Sequence, residues 1–194
     1  WQRHRTVAAL MGGGPESGLH RSEDGGESWT ELKSGLPNYA GKIGFTLSPQ
    51  KPDILYASVE LEKRKGAVYR SEDRGSSWKK MSDLSLGYGT GPHYYQELFA
   101  SPHKFDRLYL MNVRILTSED GGRTFVELTE RAKHSDNHAI AFRDDDPNYL
   151  LVGTDAGIYE SFDLAETWKY HKNLPITQFY KVAVNNAFPF YHIF

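Results

Sequence analysis

The 194-residue chain contains no cysteine, which excludes disulfide frameworks and thiol chemistry while leaving the redox compartment open. A formal net charge of only −2 gives no basic stripe, and so no nucleic-acid or anionic-membrane partner is expected. No apolar run approaches the roughly 18 residues of a membrane span. No leader segment is legible either. The chain opens in mid-phrase at Trp1 and stops at Phe194 without a polar tail, and the expectation is a piece of a larger protein with any targeting segment outside it. Helical periodicity is also missing. What the chain does have is 13% aromatic residues, including 12 Tyr and 10 Phe, a composition suited to strands and to surfaces that bind sugars or peptides.

One phrase recurs. Ser-x-Asp-x-Gly-x-x-aromatic occurs as Ser22, Asp24, Gly26, Trp29; as Ser71, Asp73, Gly75, Trp78; as Ser118, Asp120, Gly122, Phe125; and, with Ala165 for glycine, as Ser161, Asp163, Trp168. The steps from Ser22 to Ser71, Ser118 and Ser161 are 49, 47 and 43 residues, close to the roughly 40–50 of a four-stranded propeller blade. Ser and Asp side chains can bond nearby backbone amides, and glycine supplies the positive φ of a tight turn. Each phrase therefore reads as a hairpin turn whose aromatic returns on the next strand and buries its ring. Ala165 predicts a distorted or different turn in the fourth copy.

Four strands, A to D, can be read in each unit, with turn-rich joints such as "SPQKPD", "SPHKFD" and "RDDDPN" between A and B. The predicted fold is all-β: an arc of four-stranded antiparallel propeller blades, three complete and two partial. The boundaries are 1–40 for a partial blade, then 41–92, 93–136 and 137–177, with 178–194 opening the next. The remaining blades of the parent propeller are expected partners.

The repeated phrase resembles the Asp-box, or BNR repeat, of sialidases, sortilin-type propellers and xyloglucan-hydrolysing glycosidases. Phrases such as "GGGPESGLHRSEDGGESW", "HSDNHAIAF" and "NLPITQFYKVAV" look closest to large secreted bacterial propellers related to the sortilin N-terminal domain. The resemblance implies an extracellular or periplasmic protein and an Asp-box that is structural, at the propeller periphery. It also implies ligand binding where D joins the next A and B joins C.

Those ends supply the candidate site. His134, Asp136 and His138 alternate, so an extended strand would put them on one face, where a transition metal or acid–base cluster is possible. "GTDAGIY" is similar to the T-D-x-G-x-Y phrase of the xyloglucan-hydrolysing family, which makes Asp155 a candidate catalytic carboxylate; Asp136 falls near that family's second. There the pair faces across a cleft between two propellers, whereas here both belong to one blade. Such a pair could act as general acid and base on a glycosidic bond. Further binding candidates are Glu16, Glu60, Tyr94 and Tyr95 (beside His93), Glu97, Gln178 and Tyr180, where aromatics mix with carboxylates and amides. The run Lys63, Arg64, Lys65 reads as a solvated loop. "GGGPESG" lacks the Lys-Ser/Thr of a phosphate loop, and the turns lack the ladder of a calcium loop. No cofactor is implied. Three roles stay open: recognition of a peptide or glycan, glycoside hydrolysis through Asp136 and Asp155, or structural assembly.

Overall fold

The computed structural model describes residues 17–62, 65–85, 96–173, 183–185 and 187–193. Among them there is no α-helix. A hairpin of β1 (Leu19–Arg21) and β2 (Thr30–Leu32) comes first. A sheet of β3 (Ile43–Leu47), β4 (Leu55–Leu61), β5 (Lys65–Ser71) and β6 (Lys79–Ser85) follows. The next contains β7 (Leu98–Ala100), β8 (Leu108–Leu110), β9 (Leu116–Ser118) and β10 (Val126–Glu127). The last contains β11 (Asn137–Arg143), β12 (Asp146–Thr154), β13 (Gly157–Ser161) and β14 (Lys169–Tyr170). Every pairing is antiparallel and every neighbour is the next strand in sequence. These are consecutive blades of a partial β-propeller.

The middle strands are apolar on both faces because both faces are covered. Tyr56 of β4 and Val68 of β5 pack toward Leu98, Leu108 and Leu110 of the following sheet. Their neighbours Ala57, Val59 and Ala67 face the other way, onto the first hairpin through Leu19 and Leu36. The period-2 alternation repeats one sheet later, where Tyr109 and Met111 turn toward Ile140, Leu150 and Val152. At the seam between inner strands there is room only for glycine: a Cβ on Gly44 would lie 2.2 Å from the Gln96 carbonyl oxygen.

All four repeated turns share one hydrogen-bond pattern. The Ser hydroxyl donates to the Asp carboxylate and accepts the amide two residues beyond that Asp. The carboxylate accepts the amide four residues on from itself. All of these distances fall within 2.7–2.9 Å in the copies starting at Ser22, Ser71, Ser118 and Ser161. The last three turns are also tied to the adjoining A–B turn, by Arg74 N to Asp53 O at 3.0 Å, Gly121 N to Asp106 O at 2.9 Å and Leu164 N to Asn148 O at 2.9 Å.

Two expectations are corrected. The fourth turn is neither distorted nor of another type: Leu164 and Ala165 take φ of 53° and 76°, matching Arg74 and Gly75 at 58° and 85°. Its full set of bonds and the burial of the Ala165 methyl among Tyr109, Ile115 and Leu150 hold it there. Trp29 is not enclosed. It is 63% exposed against 6% for Trp78, because each aromatic is covered by the preceding unit. Trp78 packs with Leu19 and Leu36, and the Trp168 indole N–H donates to Thr129 O at 2.7 Å. No described unit precedes Trp29.

Candidate functional site

The A–B joints and repeated turns occupy one end of the sheets, which leaves the B–C joints and the starts of the A strands at the other. Most described candidates lie along this second end. Near the end of β4, Glu60 is buried and its carboxylate accepts the amide of Lys42, just ahead of β3, at 2.9 Å. The Lys42 ammonium extends to Glu97 at 2.6 Å, joining two sheets. Gln96, at φ 87°, is buried between them. Its carbonyl accepts the Ser58 hydroxyl at 2.8 Å, and its side-chain Oε1 is buried with no hydrogen-bond partner among the described residues. Glu16, His93, Tyr94, Tyr95, Gln178, Tyr180, Lys63 and Arg64 lie outside the described residues.

The last sheet carries the two candidate carboxylates. Asp136 ends the loop before β11. Its N–H donates to Val113 O at 2.9 Å, its carboxylate accepts the Ser135 hydroxyl at 3.0 Å, and its carbonyl accepts the Asp155 N–H at 3.2 Å. Asp155 stands in the turn between β12 and β13, where its Oδ1 lies 2.6 Å from His138 Nε2. A carboxylate only accepts, so Nε2 carries the proton of this bond. The candidates therefore meet as two aspartates joined through backbone, one of them paired with a histidine.

The expected face of His134, Asp136 and His138 does not form. Asp136 has φ 62°, in the left-handed region, and β11 begins only at Asn137. The alternation that would align the three is broken at its centre. The His134 ring turns back to Ser135 O, at 2.6 Å. Among the described residues no three His, Asp or Glu side chains are grouped to hold a metal ion.

Sequence reading missed the group beneath this loop. Lys133 and Glu130 have side chains that are 0% and 1% exposed, with Nζ to Oε1 at 2.7 Å. Lys133 Nζ also donates to His134 O at 2.8 Å and to the Asn137 side-chain oxygen. Glu130 Oε2 takes Arg114 at 3.2 Å. Asn137 Nδ2 reaches Asn112 O, Val113 O and Glu130 Oε1 at 3.1, 3.0 and 2.8 Å. Burial pushes the Lys133 ammonium below its ordinary range, and the Glu130 carboxylate opposes that shift. The only sequence signal was a Glu and a Lys three apart immediately before a strand, which reads equally well as a solvated pair.

No protein-family model matches the chain. Over 162 residues it is 26% identical to a probable oligoxyloglucan-reducing end-specific xyloglucanase from Neosartorya fischeri, a match covering 75% of this chain and 19% of the relative. Among solved structures it resembles the GH74 xyloglucanase from Xanthomonas campestris, with a TM-score of 0.62 at 21% identity, over 85% of this chain and 29% of that one. It also resembles a GH74 enzyme from Niastella koreensis, with a TM-score of 0.59 at 19% identity, over 78% and 26%. The chain thus spans about a fifth of the curated relative's length. The likeness to these solved structures establishes the fold, a run of blades from a β-propeller.

Proposed function

We propose that this chain is part of a glycoside hydrolase propeller that cleaves a xyloglucan-type β-glucan, with the edge carrying Asp136, His138 and Asp155 as its contribution to the active site. The observation carrying this reading is the junction of the two aspartates, Asp155 N to Asp136 O at 3.2 Å with His138 on the Asp155 carboxylate. The xyloglucanase relative supports the same class of substrate. In this reading the turns are Asp-boxes that only build the scaffold, blades outside this chain complete the cleft, and the protein works outside the cell, where such glucans occur.

The chemistry follows from the hydrogen bonds. The His138 ring bonds one oxygen of Asp155 and orients its carboxylate, leaving the other oxygen to act as base. Asp155 takes a proton from water as the water oxygen attacks the anomeric carbon. Asp136 gives its proton to the glycosidic oxygen as the carbon–oxygen bond breaks, so that the chain leaves as an alcohol. Inversion of the anomeric centre is the expected outcome of such a pair.

The test is release of reducing sugar from xyloglucan oligosaccharides by the full-length protein. Asp155→Asn should lower kcat about 10²- to 10⁴-fold, the contribution of one general acid or base. Activity retained within a few-fold would overturn the assignment. Tight binding of the glucan by the unaltered protein with no turnover would replace hydrolysis by recognition.

A further inference from the structure

We infer that Lys133 is a positioning residue for the site edge: its buried ammonium holds the loop from Glu130 to Asn137 in the one shape that brings Asp136 against Asp155. The inference uses the site proposed above but not its chemistry.

The loop has little regular structure to hold it. Two of its residues, Ala132 and Asp136, are left-handed at φ 63° and 62°, conformations that L-residues adopt only when their surroundings impose them. What surrounds them converges on one atom. Lys133 Nζ has three protons and three oxygen partners, one each from Glu130, His134 and Asn137. The Tyr159 and Trp168 rings lie 5.9 and 5.4 Å from the ammonium, a cation–π contact. Glu130 and Asn137 carry the connection outward, Glu130 to Arg114 and Asn137 to the Asn112 and Val113 carbonyls at the end of the preceding sheet. Asp136 adds its own bond to Val113.

Lys133 therefore joins three parts: the preceding sheet, the loop and the last repeated turn. A charge is suited to this task. An apolar side chain would fill the volume but take the ammonium donor from the His134 carbonyl and the Asn137 amide oxygen. It would leave the buried Glu130 carboxylate with only Asn137 and Arg114, a loss that is costly to keep dry. The loop would relieve that cost by opening to water. Asp136 and the amide bond to Asp155 would move with it.

Amide hydrogen exchange in the intact protein tests this directly. Lys133→Met should cut protection of the Asp136 and Asp155 amides at least tenfold while the Val152 and Tyr159 amides of the β12–β13 ladder keep theirs. The His138 Nε2–H proton resonance should be lost with them. Because Lys133→Met leaves the buried Glu130 carboxylate with the half-exposed Arg114 as its remaining cation, the paired variant Glu130→Gln with Lys133→Met removes both buried charges and should keep the fold. It should show the same selective loss. Unchanged protection at Asp136 and Asp155 in either variant, or equal loosening along the β12–β13 ladder, would overturn the assignment. A hydrolysis assay insensitive to Asp155→Asn would sink the proposed reaction and leave this exchange pattern standing.

Discussion

The two ends of these sheets follow opposite rules. At one end four turns, 43 to 49 residues apart, repeat the same hydrogen bonds to within 0.2 Å. At the other end the described side chains differ from sheet to sheet. One presents Lys42 with Glu60 and Glu97, the next Arg114 with Glu130, the last His138 with Asp155. Repetition marks the end whose task is to close a hairpin, a task common to all sheets. Divergence marks the end where each sheet can offer a different side chain to a ligand.

The largest test of this contrast lies within the repeated set. Trp78→Ala should cost about 3–5 kcal/mol, the usual price of emptying a tryptophan site, whereas Trp29→Ala should stay within about 0.5 kcal/mol wherever no preceding unit covers its ring. Urea unfolding of both variants measures the difference. Equal costs would mean that the repeat stabilises through the turn alone and not through the sheet behind it.

A weaker effect, shared by the turns, appears in acid. The Ser77 hydroxyl and amide, with Ser71, hold the Asp73 carboxyl down to about 2. For Asp120 burial pushes upward, but bonds from Thr124 and Ser118 prevail and bring it to about 2. Asp24 and Asp163 are lowered by the same kinds of bond, first from Ser28 and Thr167. A group lowered on folding binds its proton more readily in the unfolded chain. Its contribution is therefore complete above the unfolded value of about 3.9 and disappears as pH falls toward the folded one. Denaturation midpoints should be level from pH 7 to 5 and decline between about pH 4 and 2. Asp73→Asn should flatten part of that decline.

The smallest effects separate the copies. Gly122→Ala would set a Cβ 2.7 Å from Val68 at φ 90° and should cost about 1–3 kcal/mol. Ala165→Gly relieves left-handed strain of about 1–2 kcal/mol but removes a buried methyl worth about 0.8 kcal/mol, so its net change should stay within about 1 kcal/mol. Thermal unfolding of the two variants gives both signs. A large loss on Ala165→Gly would show that the fourth turn depends on its methyl rather than on its hydrogen bonds.

The turn end was legible in the sequence because its chemistry is local. Ser71 bonds Asp73 and Gly75, and Asp73 bonds Ser77, all within six residues. Even there Ala165 misled, since its burial by Tyr109 and Leu150 comes from more than one strand away. The rim was only half legible. Asp136 and Asp155 were found, but the alternation His134, Asp136, His138 assumed extended backbone, and the bond from Asp136 N to Val113 is made by a neighbouring sheet. Lys133 and Glu130 stayed hidden for the same reason: whether a charge is solvated or sealed depends on what Asn112, Tyr159 and Trp168 bring from outside its own segment.

Gly44 sits where two inner strands nearly touch, its α-carbon against the Gln96 carbonyl. Sheets that splay outward from such a pinch behave like wedges, and the thickness of a wedge at its tip sets the angle to the next. One methyl group at residue 44 would thicken that tip and force the two sheets apart, so their angle is kept by a side chain that is not there.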